Sequence, residues 1–420
     1  MKHHHLTAAT ALAVAVVLAA SGCSAKATGG AAAATSSGGV KTGPGVTATS
    51  ITVGILTDLS GPVAPLGKPA LQAEQLYVDQ VNAAGGVCGR QIKLLVRDHG
   101  YDVQKAVSLY TEMEPQIAAM GQLVGSPETD ALVDQIERDQ LLTLPPGPAS
   151  ALLGHPHVQV VGATYDITMV NGLDFLAKAA KLASGDKVGV VYQPGEYGAD
   201  VLAAARFVAQ KNGWTLVEQQ IAPTATDMTA QVTALKAAGV KAVSFAGTPA
   251  QTASLVGVAA ATGLRVPVIA DQPAYVPQLL ATPAAPALEK MLYVASGVPA
   301  LNGSAPALTK LVAAYKAKYP AEQQSATVEL GAYSADILVD ALKAACTAKD
   351  LSRQGITAGL RTLTTFDDGI IGPDDFADPA RATDERTYIL QPAAGVPGGL
   401  TTVQDGATSP LVADYLAGKH

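Results

Sequence analysis

The sequence is poor in cysteine, in aromatics and in charge: three cysteines, one tryptophan and five phenylalanines stand among 420 residues, and 15% of residues are charged. So few cysteines form no CxxC pair and no Cys/His cluster, which removes a zinc site and a dithiol redox motif. The 28 basic residues are outnumbered by 35 acidic ones and form no stripe. A nucleic-acid partner is therefore excluded. Catalytic signatures are missing as well: no GxSxG elbow, no HExxH, no P-loop, and no GxGxxG after a strand. The sequence thus reads as a non-enzyme without a cofactor. His99, His155, His157 and His420 are scattered, and the pair at 155 and 157 reads as loop-exposed. Asp368, Asp374 and Asp375 flank Gly369 and Pro373 at spacings that do not match a calcium loop. No metal site is expected. No repeat of 20–50 residues suggests a solenoid.

What is present is apolar and mostly small. Residues of the AVILMFWYC set make up 48% of the chain, a composition suited to a helix-rich α/β protein with more than one core. At the N-terminus Lys2 precedes the fifteen-residue apolar run Leu6–Ala20, too short to span a membrane comfortably. Residues 1–22 read as a signal peptide. The run ends in Ala19-Ala20-Ser21-Gly22-Cys23, which resembles the lipobox of bacterial lipoproteins. That resemblance implies lipidation of Cys23 and an anchor on the outer face of the cell membrane. An ordinary secretory signal with an incidental cysteine is the alternative. His3, His4 and His5 lie in the removable leader and carry no metal role. Residues 23–48 hold Ala, Gly, Ser and Thr almost to the exclusion of large side chains and read as a flexible tether. Outside the cell the remaining even pair, Cys88 and Cys346, reads as a disulfide, against two unrelated buried thiols.

From residue 50 the pattern alternates. Ile51–Leu56 is strand-like; Ala70, Ala73, Tyr77, Val81 and Ala84 follow a helical period that Gly85-Gly86 stops. Strand signals recur at 91–98, before Val124 and at 141–144, with helical ones at 103–117 and 130–138. The alternation restarts with strands at 187–192, 216–221, 241–246 and 267–270, and helices at 199–212 and 228–238. Two such runs imply two doubly wound, Rossmann-like α/β lobes joined by a hinge. Lobe 1 is expected at 49–164 plus 298–380, lobe 2 at 165–297 plus 381–400, and 401–420 as a C-terminal tail. Ligands in such sheets sit beyond the carboxyl ends of the strands.

Four segments carry a resemblance. Ile51-Thr-Val-Gly-Ile-Leu-Thr-Asp-Leu-Ser-Gly-Pro62, Val81-Asn-Ala-Ala-Gly-Gly-Val-Cys-Gly-Arg90, Gly195-Glu-Tyr-Gly198 and Ala332-Tyr-Ser-Ala335 together resemble the type I periplasmic binding proteins. More narrowly they resemble the leucine/isoleucine/valine-binding branch that serves ABC transporters. The likeness covers roughly residues 49 to 395.

It implies a monomeric receptor that closes on a small-molecule ligand and docks on a permease with its ATPase. The family grips a ligand carboxylate at two first-lobe helix starts. The first falls on Gly125–Thr129, with Thr129 nearest the family hydroxyl and Glu128 beside it. At the second the family hydroxyl aligns with Ala149, so only Ser150 can substitute. Tyr197 matches the cleft tyrosine that closes over the ligand. Tyr165 and Asp166 lie at the lobe crossing, where an acidic ammonium contact is common, although Asp166 also suits a helix cap. The second ammonium contact falls on Gln272, beside Asp271, and a neutral amide balances an ammonium poorly. Thr248 stands where an aromatic often sits, and Leu66 replaces the loop aromatic. A branched-chain or other hydrophobic amino acid is the implied ligand. These departures keep a small amide or carboxylic acid open, as is a ligand sensor of the same fold.

Overall fold

The computed structural model describes residues 35–37 and 39–419. The signal segment 1–22 and the lipidation residue Cys23 lie outside the described residues. Among the described residues no helix is long and apolar enough to cross a membrane.

The first lobe begins with β1 (Thr35–Ser37), β2 (Val40–Thr42) and β3 (Ser50–Thr57). Then come α1 (Ala64–Ala83), β4 (Gln91–Asp98), α2 (Val103–Met113), β5 (Ala119–Leu123), α3 (Ser126–Asp130) and α4 (Val133–Asp139). β4, β3 and β5 form a parallel sheet, extended by parallel bridges from Met120 to Thr143 and on to Val158. β3 is buried on both faces, which is why it reads as a continuous apolar run. β5 contains a register shift: Gly54 pairs with Met120 and Ile55 with Gln122. The skipped residue is Gly121.

The chain then crosses into the second lobe. There α5 (Tyr165–Ala179), β6 (Lys187–Tyr192), α6 (Glu196–Asn212), β7 (Thr215–Gln220) and α7 (Thr229–Ala238) come first. β8 (Ala242–Ala246), α8 (Pro249–Thr262), β9 (Val268–Asp271), α9 (Ala285–Met291) and β10 (Leu292–Ser296) complete the run. The chain returns to the first lobe for α10 (Pro306–Lys318), α11 (Ala326–Thr347), β11 (Asp350–Leu351) and α12 (Arg353–Leu360). It crosses a third time into β12 (Thr387–Pro392), β13 (Leu400–Ala407) and α13 (Pro410–Ala417). The second-lobe sheet runs β13-β12-β10-β9-β8-β6-β7, parallel except for its last two strands in sequence. Two doubly wound α/β lobes are thus present.

Two boundaries differ from the sequence reading. Residues 401–420 were expected as a tail. Instead β13 pairs with β12, and α13 buries Val412 and Tyr415 against the core that contains α5. Tail-like composition hid a short amphipathic helix. The tether was expected to run through residue 48, yet β2 pairs in parallel with β11 and Thr42 is buried. Three-residue strands give too short a period to read from sequence.

Cys88 and Cys346 form a disulfide with their Cα atoms 5.9 Å apart, tying the turn after α1 to the end of α11. These two helices also pack along each other, and each carries a buried acid. Glu74 of α1 and Glu329 of α11 are buried, and neither carboxyl has a hydrogen-bond partner among the described residues. Burial holds both well above the ordinary carboxylate value.

Two outcomes follow for stability. Replacing both cysteines with serine frees a loop of 258 residues. Chain-entropy reasoning puts the loss at up to about 5 kcal/mol, to be read as a lower urea midpoint. For Glu74 the folded state binds the proton more tightly than the unfolded one. Its stability contribution is therefore complete below the unfolded value of 4.5 and is lost as pH rises through the raised folded value. In urea titrations at pH 5 and pH 8 Glu74→Gln should narrow the drop in stability with pH; an unchanged drop would reject the assignment.

Candidate functional site

A cavity opens where the two sheets point their carboxyl ends at each other, as expected of open α/β sheets. Its free space is about 90 Å3, and it opens to solvent at its mouth. First-lobe walls come from Val63, Leu66 and Ala70 of the β3–α1 region, Tyr101 after β4, Gln122, Val124, Gly125 and Ser126 around the end of β5, Pro146 and Gly147, and Thr327 and Leu330 of α11. Second-lobe walls come from Tyr165, Gln193, Tyr197, Gly247, Thr248, Gln272 and Pro273. No side chain in this set carries a formal charge.

Local sequence explains how these groups are placed. Asp58, fully buried, accepts hydrogen bonds from the backbone N–H groups of Ser60 (3.1 Å), Gly61 (2.5 Å) and Val63 (2.9 Å). This folds the β3–α1 loop tightly and delivers Leu66 to the cavity. In the second lobe Gly198 lets the first turn of α6 press on β6, since a Cβ there would lie 1.7 Å from the Gln193 carbonyl oxygen. The close approach sets Tyr197 over the cavity. Thr248 caps α8: its hydroxyl accepts from Gln251 N–H, and Gln251 Oε1 accepts from Thr248 N–H at 2.9 Å. Gln193 donates to that same Oε1 at 2.6 Å.

The lobes touch through these residues. Leu66 of the first lobe packs against the apolar cluster of the second. Tyr197 of the second packs against a cluster made almost wholly of first-lobe residues, and within its own lobe its ring centroid lies 4.6 Å from that of Tyr165. Asp200 of α6 accepts from the first-lobe Ser150, at 2.7 Å from its N–H and 2.5 Å from its hydroxyl. Burial, followed by the nearby charge of Asp166, pushes Asp200 up to about 7 against these hydrogen bonds.

Of the residues expected in the site, Leu66, Tyr165, Tyr197, Thr248 and Gln272 line the cavity. Others do not, each for a visible reason. Thr129 turns its hydroxyl back to the Gly125 carbonyl at 2.8 Å. The start of α3 is taken by the chain's own Glu128, whose carboxyl lies so close to Gly125 that a Cβ there would sit 1.9 Å from Oε2. Gly125 also has φ 101°, so glycine is required twice over. Burial raises Glu128 to about 7. Ala149 is enclosed in the first-lobe core and Ser150 is committed to Asp200. Asp166 is fully buried and faces the C-terminal helix: it accepts from Thr164 (2.5 Å), Ile167 N–H (2.8 Å) and Tyr415 (2.9 Å), and pairs with Lys419. Asp271 lines a second, smaller pocket of about 50 Å3 beside the first; Pro146, Tyr165, Gln272 and Leu330 form walls of both.

Tyr101, Gln122 and Gln193 were missed. Tyr101 and Gln193 follow strand ends, so the strand-end rule applied to every strand would have found them. Gln122 is turned inward by the register shift in β5, which leaves no sequence signal. Several polar atoms around the cavity are buried without partners among the described residues: Gln122 Oε1, the Tyr197 hydroxyl, Glu128 Oε2 and Asp271 Oδ2. The Gly247 backbone lies near the Tyr197 hydroxyl, outside hydrogen-bond geometry. Buried polar groups normally find partners, so these mark where a ligand's polar atoms fit. Among the described residues no three His, Cys, Asp or Glu side chains converge on a metal-sized position.

Comparison with known proteins agrees with this architecture. The family model "Periplasmic binding protein" matches residues 50–396. A Leu/Ile/Val-binding protein homolog of Brucella melitensis is 28% identical over 47% of this chain and 54% of its own. The chain thus spans about half the length of the curated relatives it matches first. Among solved structures, a fatty acid ABC transporter substrate-binding protein from Thermomonospora curvata is 42% identical, with TM-score 0.88 over 90% of this chain and 97% of its own. A branched chain amino acid ABC transporter protein from Thermus thermophilus with bound valine shares the fold at 20% identity, TM-score 0.77, covering 87% of this chain and 98% of its own. With two strand-end surfaces closing on one cavity and this family match over residues 50–396, the chain belongs to the periplasmic binding proteins and has their type I fold.

Proposed function

We propose that this protein is the extracytoplasmic solute-binding component of an ABC importer, held to the membrane by a lipid on Cys23, and that its ligand is an aliphatic carboxylic acid. Capture works by closure: a ligand that touches both lobes favours the state in which Leu66 and Tyr197 reach across the cleft. The loaded form then docks on a permease driven by its ATPase. No catalytic step is involved.

The observation that carries the ligand class is the neutral wall. No side chain among the described residues lining the main cavity is charged, so this space favours an uncharged aliphatic body over an ion of either sign. An alkyl chain suits the same wall. About ten buried methylenes at about 0.8 kcal/mol each supply roughly the −8 kcal/mol of micromolar binding. The relative from Thermomonospora curvata, 42% identical along nearly its whole length, is described as a fatty acid binding protein. A second reading, a branched-chain amino acid, is favoured by the Leu/Ile/Val-binding relatives, at 28% identity or less.

Titration calorimetry separates the two. Dodecanoic acid should bind with a micromolar or tighter Kd, while leucine, isoleucine and valine give no heat. Binding of the amino acids without binding of the fatty acid would overturn the ligand assignment. Tyr197→Phe keeps the ring that covers the cavity and removes its unpartnered hydroxyl. It should weaken the fatty acid by about 1 kcal/mol, about fivefold in Kd; an unchanged Kd would remove that hydroxyl from the contact set.

A further inference from the structure

The two pockets share Pro146, Tyr165, Gln272 and Leu330 as walls, and the smaller, called the inner chamber below, differs in chemistry from the main, outer cavity. Its polar groups include the hydroxyl of Thr168, the side-chain amide of Gln272 and the carboxyl of Asp271. Ser296 and Tyr333 also line it but are already engaged, Ser296 with Val298 and Tyr333 with Asp374. Asp271 is 3% exposed; one oxygen accepts from Gln272 N–H at 2.7 Å, and Oδ2 has no partner among the described residues. A buried carboxyl oxygen at a cavity wall, with no cation beside it among the described residues, awaits a partner from the ligand.

Resting on the ligand class proposed above, we propose that the inner chamber is the head-group subsite, where Asp271 in its neutral form donates its O–H to the ligand carboxylate. One proton is then shared by two carboxyl groups, which carry a single negative charge between them. No covalent bond forms or breaks. Thr168 and Gln272 supply further donors to the same head, and the alkyl chain extends past Tyr165 and Leu330 into the outer cavity. This resolves how an anion enters a site without a basic wall: the protein supplies the missing proton.

The surroundings of Asp271 support the neutral form. Burial holds its carboxyl well above the ordinary value, and the charges of Asp200 on α6 and Asp166 on α5 act in the same direction. Tyr165 and Tyr197 face it as well, and Tyr333 of α11 lines the same chamber. The nearby cation, Lys419 of the C-terminal segment, is paired with Asp166. The flanking strands β8 and β10 bring no charge: β8 reads Ala-Val-Ser-Phe-Ala and β10 Leu-Tyr-Val-Ala-Ser.

The sign of the pH effect follows. Only the protonated Asp271 accepts the anion, so affinity is level below the raised value and falls tenfold per pH unit above it. Asp200 also titrates, near 7, and sits at the lobe contact. A ligand with the same chain and no carboxyl isolates the two effects. The experiment therefore measures Kd for dodecanoic acid and dodecan-1-ol on the full chain between pH 5.5 and 9.5. The ratio of acid to alcohol affinity should fall tenfold per pH unit in the alkaline arm. In Asp271→Asn the ratio should be flat, with folding checked by circular dichroism. Thr168→Val should weaken the acid three- to tenfold and keep the slope. A flat ratio in the wild type, or a slope that survives in Asp271→Asn, overturns the shared proton while leaving the ligand class standing. Failure of dodecanoic acid to bind at any pH overturns both.

Discussion

Two lobes that meet over a cavity must exclude water from whatever lies between them, and this desolvation governs the rest of the molecule. Contact across the cleft is made by apolar reach, with Leu66 entering the second lobe's cluster and Tyr197 the first's. A charged wall would resist that closure, because each buried ion costs several kcal/mol unless it is paired. The wall is accordingly built from tyrosines, glutamines, prolines and aliphatic side chains. One polar contact between the lobes, the Ser150–Asp200 pair, involves residues that do not line the cavity.

The acids at the strand ends follow from the same constraint. Glu128, Asp166 and Asp271 each stand where a helical turn begins, a position that favours a negative side chain. Each is used by the chain itself. Glu128 folds over Gly125, and Asp166 holds Thr164, Tyr415 and Lys419. Asp271 accepts from Gln272 N–H and keeps one oxygen free. Because the helix starts are already supplied with carboxyl groups, an incoming carboxylate cannot simply settle there. Ligand class in this fold therefore depends on how its own acids are spent, and not on the fold, which proteins with fatty acid and with valine in their descriptions share.

Much of the architecture was legible. Strands β3, β4 and β6 are continuous apolar or alternating runs bounded by turn residues, and their limits lie within a residue or two of the sequence reading. The loops after β6, β8 and β9 pointed to Tyr197, Thr248 and Gln272, and the lobe crossing to Tyr165, which the cavity does bring together. Short elements were not legible. β2 and α13 contribute too few residues for a period, and their places depend on partners hundreds of residues away, Asp350 for β2 and Asp166 for Lys419 just beyond α13. Thr129, Ser150 and Asp166 had the right chemistry at the right loops and the wrong direction.

Sequence alone determined many of the longer strands and helices, and several of the loops at strand ends, because periodicity and turn residues act over a few neighbouring positions. The direction in which a side chain points at those loops was decided only in the tertiary structure. Asp166 is turned from the cleft by Lys419, 253 residues later, and Ser150 is captured by Asp200 from the other lobe. Such contacts form when the lobes are assembled and water is expelled, and no local pattern encodes them. That is why the two lobes could be read from the chain, while the neutral character of the space between them could not.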